Sequence, residues 1–211
     1  MKISTGALLA LAITFSLADA AAGGAFAQAP VAPQVGELIA KGRKTGEFGF
    51  ALRMLQQGDA GAPASMRDAL ADSLVAVVIA APVASGSDER LHSSIIDVLR
   101  ASANRQAATP YRGAGTRLFR IAMEAKDMGD RGGAVFAISQ LSDGRDALAL
   151  LRRIATSENP VATNAIVMLW DMTRDRGGLT VLQELSRSGT VKDERARREL
   201  ERVSKKYGWV K

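Results

Sequence analysis

The chain has 211 residues, with 28 Lys+Arg against 22 Asp+Glu, a formal net charge of +6, one histidine and no cysteine. Without cysteine there are no disulfides, thiolate nucleophiles, cysteine-ligated zinc or iron–sulfur clusters, and His92 alone supports neither a histidine metal site nor a nucleophile–base pair. The positive excess is modest and spread along the sequence, which describes a solvated surface, so no nucleic-acid partner is expected.

The first residues read as an address. Lys2 precedes an apolar run over 7–17, shorter than the ~20 residues that a membrane-spanning helix needs. Small residues follow, and Ala25-Phe26-Ala27 fits an A-x-A cleavage site before Gln28. The pattern predicts a cleaved signal peptide over 1–27 and export, to a bacterial periplasm by the look of the signal. An uncleaved anchor is the alternative. No later apolar run reaches spanning length, so no transmembrane segment is expected after cleavage. "QAPVAPQVGE", over 28–37, reads as an extended Pro/Ala linker. With a short helix it fills 28–45, ordered structure is expected to begin between Val35 and Thr45, and 46–211 forms the helical domain.

Beyond the linker, apolar residues recur at i, i+3, i+4 and i+7, and period-2 alternation is nearly absent. Ala and Leu are abundant and β-branched runs are few, which favours helix. The spacing predicts an all-α chain with helices near 35–41, 46–57, 64–81, 88–103, 113–127, 131–142, 144–156, 160–174, 178–187 and 192–206. Punctuation agrees. Ser87 is read as a cap ahead of Asp88 and Glu89, Asn159-Pro160 as an N-cap with proline at the first helical position, and Thr190 with Asp193 as a capping box. Gly58, Gly129, Gly189 and Gly208 are read as helix ends. In helix 160–174, Val161, Ala165, Met168, Leu169 and Met172 share one face while Val167 and Trp170 lie opposite, so burial between neighbours is expected.

The segments also repeat. Leu151 and Leu182, Ile154 and Leu185, Ala165 and Ala196, Leu169 and Leu200, and Met172 and Val203 are each 31 apart, as are Ala134 and Ala165, and Ile138 and Leu169. Phe119 to Leu151 and Ala122 to Ile154 are 32 apart. Each second helix carries a small residue at its centre, where neighbouring backbones come close. Met66 to Ala81 reads as a further second helix, with Ala69 lying 96 before Ala165. "NRQAATPYRGAG", over 104–115, interrupts the register.

From 118 to 203 the chain resembles the HEAT-repeat family in its short variant. An apolar first helix (Leu148, Leu151, Ile154) is followed by a break with Pro160 and a second helix with central Ala165 and Leu169. The Asp or Asn and the Arg that the family often carries are not kept at their usual positions. An armadillo-like or generic bundle is the alternative. The resemblance implies a right-handed α-solenoid of antiparallel helix pairs and protein–protein contact as its role.

Candidate chemistry is sparse. Asp88 and His92 stand one helical turn apart, but they read as a dipole-favoured acid and an exposed histidine. Ser93 and Ser94 point away from His92 by about 100° per residue. "DRGG", at 130–133 and 175–178, and "YRGAGTR", at 111–117, read as turns, because no strand or Walker lysine accompanies them. Asp68 and Asp72 read as a solvated face. The C-terminal segment carries Arg195, Arg198, Arg202, Lys205 and Lys206 with the i,i+4 pairs Glu194–Arg198 and Glu201–Lys205, and reads as a polar-faced end cap, with Tyr207 and Trp209 folding back over it.

No catalytic residue, metal or cofactor is expected. The reading that fits best is a non-enzymatic, exported scaffold that binds another protein through Asn164, Asp171, Arg195, Arg198 and Arg202. Asn164 and Arg195, like Asp171 and Arg202, are one 31-residue period apart. The alternatives are an envelope protein that contacts anionic lipid or polymer through its basic end, and an accessory subunit of an enzyme.

Overall fold

The computed structural model describes residues 33–49, 52, 63–103, 113–172 and 177–209. Among these the secondary structure is helical, with no strand. The helices are α1 (Pro33–Thr45), α2 (Ala64–Ala80), α3 (Gly86–Ser102), α4 (Ala114–Glu124), α5 (Met128–Ser139), α6 (Gly144–Ala155), α7 (Ala162–Asp171), α8 (Gly178–Ser188) and α9 (Glu194–Lys206). The expected signal peptide with its cleavage site, most of the expected helix 46–57, Gly58, the segment 104–112, and Asp175 with Arg176 lie outside the described residues.

Helix bounds follow the apolar periodicity to within about one turn, and the differences lie in the caps. Ser85, not Ser87, caps α3, accepting from the Asp88 amide at 3.3 Å. Asp193, not Thr190, caps α9, accepting from the Ala196 amide at 2.8 Å. Asn159 Oδ1 accepts from the Val161 amide at 3.2 Å, but α7 proper starts only at Ala162, and Pro160 sits in the turn before it. Gly129 is no helix end. It lies in the first turn of α5, where its amide donates to the Asp127 cap at 2.8 Å. Gly189 and Gly208 do stand past helix ends in the left-handed region, at φ 63° and 68°, which a side chain disfavours.

Among the described residues, every sizeable contact between the nine helices named joins neighbours in that order or next-but-one neighbours. Thus α4 packs on α5 and α6, α5 on α6 and α7, and α7 on α8 and α9, with α1, α2 and α3 continuing the pattern at the other end. The buried residues form one connected core from Val35 in α1 to Val203 in α9.

Burial keeps register with the sequence. Leu151 and Leu182, Ile154 and Leu185, Ala165 and Ala196, and Leu169 and Leu200 are all buried, and so are Ala134 and Ile138. Val161, Leu169 and Met172 are buried together with Ala162 and Ile166, while Val167 and Trp170 are half-buried, so α7 is covered on more than one side.

Two alignments need correction. The buried set of α4 (Ala114, Leu118, Ile121, Ala122) matches that of α6 (Ala147, Leu151, Ile154, Ala155) at a spacing of 33, not 32. Phe119 is half-buried and lies under the Arg153 guanidinium, so Leu118 takes the core position instead. Ala69 is exposed and Ala71 is buried, so the match of Ala69 to Ala165 fails.

Gly178, in the first turn of α8, marks the tightest backbone approach. A Cβ there would lie 2.0 Å from the Leu169 carbonyl oxygen, a rigid neighbour in α7. At Gly132 the nearest atom is the movable Asn164 amide at 3.2 Å. Gly178→Ala should therefore cost about 1–3 kcal/mol by overpacking, read as a lowered urea midpoint, whereas Gly132→Ala should cost less.

Candidate functional site

The five residues expected to contact a partner are all exposed, on the two packed helices α7 (Asn164, Asp171) and α9 (Arg195, Arg198, Arg202). Their freedom differs. Arg195 has no ion-pair partner among the described residues. Arg198 pairs with Glu194 in its own helix, as the i,i+4 spacing predicts. Arg202 pairs with Glu199 through Nε at 3.0 Å, and its guanidinium lies 5.0 Å from the centre of the Trp170 ring. Lys206 covers the same ring at 4.6 Å. Trp170 Nε1 donates to the Tyr207 hydroxyl at 3.3 Å, and Tyr207 stacks on Trp209 at 5.2 Å. The chain end does fold back, and Arg202 and Lys206 serve in that latch.

The first DRGG copy is not a turn. It forms the first turns of α5, and each residue meets a different neighbour. Asp130 Oδ2 lies 2.6 Å from His92 Nδ1 of α3, with the two side chains 8% and 1% exposed. Arg131 Nε donates to the Ala125 carbonyl, and its Nη1 donates to Asn159 Oδ1 at 3.3 Å. Asn159 Nδ2 in turn donates to the Met123 carbonyl at 3.0 Å, tying the α6–α7 turn to the end of α4. Gly132 faces Asn164 of α7, and Gly133 faces Ile96 of α3. The expected exposed His92 is thus corrected. It is a core residue whose ring nitrogen is committed to a carboxylate 38 residues on. Sequence spacing gave no signal for this pair, because its members lie on different helices.

Asp88 points the other way. It accepts from Ser85 Oγ at 2.8 Å and lies 3.5 Å from Arg43 of α1. The Ser85 hydrogen bond is the largest cause holding its carboxyl below the usual carboxylate range; burial opposes it, and the Ala84 backbone and the Arg43 charge add to the lowering. Asp68 and Asp72 do not form a merely solvated face. Arg117 of α4, itself buried, donates through Nε to Asp72 at 2.9 Å and through Nη2 to the Asp68 carbonyl at 3.1 Å, with the Asp68 carboxylate at 3.5 Å. "YRGAGTR" thus ends in a clamp between α2 and α4.

Beside the His92–Asp130 pair, a cleft of about 470 Å³ opens between α3 and α5. Ile96, Gly133 and Ala137 supply apolar lining, Phe136 stands at its side 55% exposed, and Glu89, Asp97 and Asp127 supply carboxylates. Arg100, the cleft's one basic lining residue, lies 3.3 Å from Asp97. The gap follows from sequence, since Gly129 and Gly133 present no side chain where α5 faces α3. Among the described residues no three metal-ligating side chains cluster, and no helix is long and apolar enough to cross a membrane.

Compared with known proteins, the chain matches no family model, no curated protein and no solved structure.

Removing one member of the buried pair leaves the other desolvated without its partner. Asp130→Ala and His92→Ala should each lower unfolding stability by roughly 1–3 kcal/mol, measured by urea titration. Asp88 gives a pH test. Its folded pKa lies below the unfolded value, so its contribution is present above the ordinary carboxylate range and is lost as pH falls through the folded value. The stability difference between the native chain and Asp88→Asn should therefore shrink from pH 7 to pH 3.

Proposed function

We propose that the chain is an exported, non-enzymatic scaffold of HEAT-like helix pairs that binds another protein along the side formed by its second helices. The observation that carries this reading is the packing order. Each helix meets its next and next-but-one neighbours, as stacked pairs do. The pairs are then α2 with α3, α4 with α5, α6 with α7 and α8 with α9. In this reading 64–81 supplies a first helix, since α2 packs on α4, while α3 packs on α5.

Register supports it. The second helices align at 31 from α5 through α7 to α9 on Ala134, Ala165 and Ala196, all buried. The buried Leu91, Ile95, Ile96 and Leu99 of α3 precede Asp130, Ala134, Val135 and Ile138 of α5 by 39. The same helical unit thus recurs across a longer linker. Export rests on the signal pattern over 1–27 and the periplasmic location on its bacterial character. The non-enzymatic reading rests on the one histidine being buried against Asp130.

The exposed charges include Glu89, Arg90, Asp97 and Arg100 on α3, Asp171 beside Asn164 on α7, and Arg195, Arg198 and Arg202 with Glu194 and Glu201 on α9. A partner of mixed charge complements such a surface. The test is crosslinking capture by the exported protein from native envelope extract, beside a variant with charges reversed at Arg195, Arg198 and Arg202. One protein enriched by the native form and lost with the variant is the expected result. No enrichment, or capture only of lipid and polymer at low salt, overturns the scaffold in favour of an envelope contact made by the basic helix.

A further inference from the structure

Two half-exposed aromatic rings among the described residues, Phe119 and Trp170, carry cations. Arg153 lies 4.3 Å from the centre of Phe119, and Arg202 and Lys206 lie 5.0 and 4.6 Å from that of Trp170. Phe136 is more open, at 55% exposure, yet among the described residues no cation lies over its ring. It also stands beside a cleft whose charge is unbalanced. Glu89, Asp97 and Asp127 line it against Arg100 alone, and Asp97 engages Arg100. Asp130, the remaining carboxylate of the lining, is taken by His92.

We infer that the cleft between α3 and α5 anchors an arginine or lysine side chain of an extended partner segment. This rests on the scaffold reading and names the chemistry that one end of its binding side accepts. The aliphatic stem of the anchor lies along Ile96, Ala137 and the Phe136 ring, while the cation reaches Glu89 and the rim of Asp97 and Asp127. A long basic side chain matches both halves of the cleft, because its stem is apolar and its head charged. A guanidinium over an aromatic face gains further attraction, the more so as water leaves. The volume of about 470 Å³ falls within the size range of small ligand sites and admits one such side chain with its flanking backbone. An acidic anchor would meet surplus like charge, and a purely apolar one would leave Glu89 without a counter-charge. With the basic α9 at the far end, the bound segment runs with its basic residue at α3 and α5.

The test uses the full chain and two probes, acetyl-Leu-Arg-Leu-amide and acetyl-Leu-Glu-Leu-amide, titrated while backbone amide NMR shifts are followed. The arginine probe should shift Gly129, Gly133 and Phe136 saturably, and Glu89→Gln or Phe136→Ser should each weaken it about tenfold. Both positions are exposed, so the fold is kept, as an otherwise unchanged spectrum would verify. Equal shifts with the glutamate probe, no shifts at the cleft with either, or unaltered binding in both variants would overturn the anchor. The envelope capture reads the scaffold separately. If capture succeeds and is lost with the α9 variant while the probes fail, the cleft assignment falls and the scaffold stands. If capture fails and the arginine probe still binds the cleft, the reverse holds.

Discussion

The arrangement of this molecule turns on one buried contact, the 2.6 Å approach of His92 to Asp130. A carboxylate and an imidazole taken out of water each need a partner, and here each is the other's. The contact fixes α5 against α3, and the next three residues do the same toward other elements. Arg131 reaches the α6–α7 turn, Gly132 faces the Asn164 amide of α7, and Gly133 faces Ile96 of α3. Four consecutive residues thus set the position of three helices. The cleft that opens beside them follows from the same residues, because glycine brings helices close without filling the surface above the contact.

Helices were legible in the sequence because burial on one side imposes a 3.6-residue period, and this chain keeps it. The burial of Ala134, Ala165 and Ala196 was legible for the same reason. The DRGG segment was not. Glycine lowers helix propensity, so local rules read two of them in a row as a turn. In the structure they lie inside α5, where Gly132 faces the Asn164 side chain and Gly133 faces Ile96. The first-helix register was missed by one residue because Phe119 and Leu118 are both large and apolar, and only the cation over Phe119 shows which of them faces out. Of the expected contact face, the exposure of all five residues was legible. That Arg202 is drawn into a latch with Trp170 was not, since it depends on where α7 lies against α9.

Besides exposed ion pairs such as Arg152–Glu184, charge in this chain is handled in two further ways. Arg117 is buried and answered by Asp72 and by the Asp68 backbone, which makes it a strut between α2 and α4. Arg153, Arg202 and Lys206 stay at the surface over aromatic rings, where the ring shields part of its apolar area and the cation keeps its water. The excess of basic residues is thus partly structural, and the formal +6 overstates the charge free to meet a partner.

The confinement of helix contacts to near neighbours in the chain has a mechanical consequence. Among the described residues α1 packs on α2 and α3 and makes no sizeable contact with α9, so loss of one end does not release the other, and opening proceeds inward from either terminus. Amide exchange should therefore grade from slow near α5 to fast at the ends. Pulling on the two termini would peel the chain in steps of a helix or a pair, and would not break it at once. In that setting the Trp170–Tyr207 hydrogen bond and the Tyr207–Trp209 stack act as a clasp on the last turn. It raises the cost of the first step at the C-terminal end, the end where the chain exposes its basic helix.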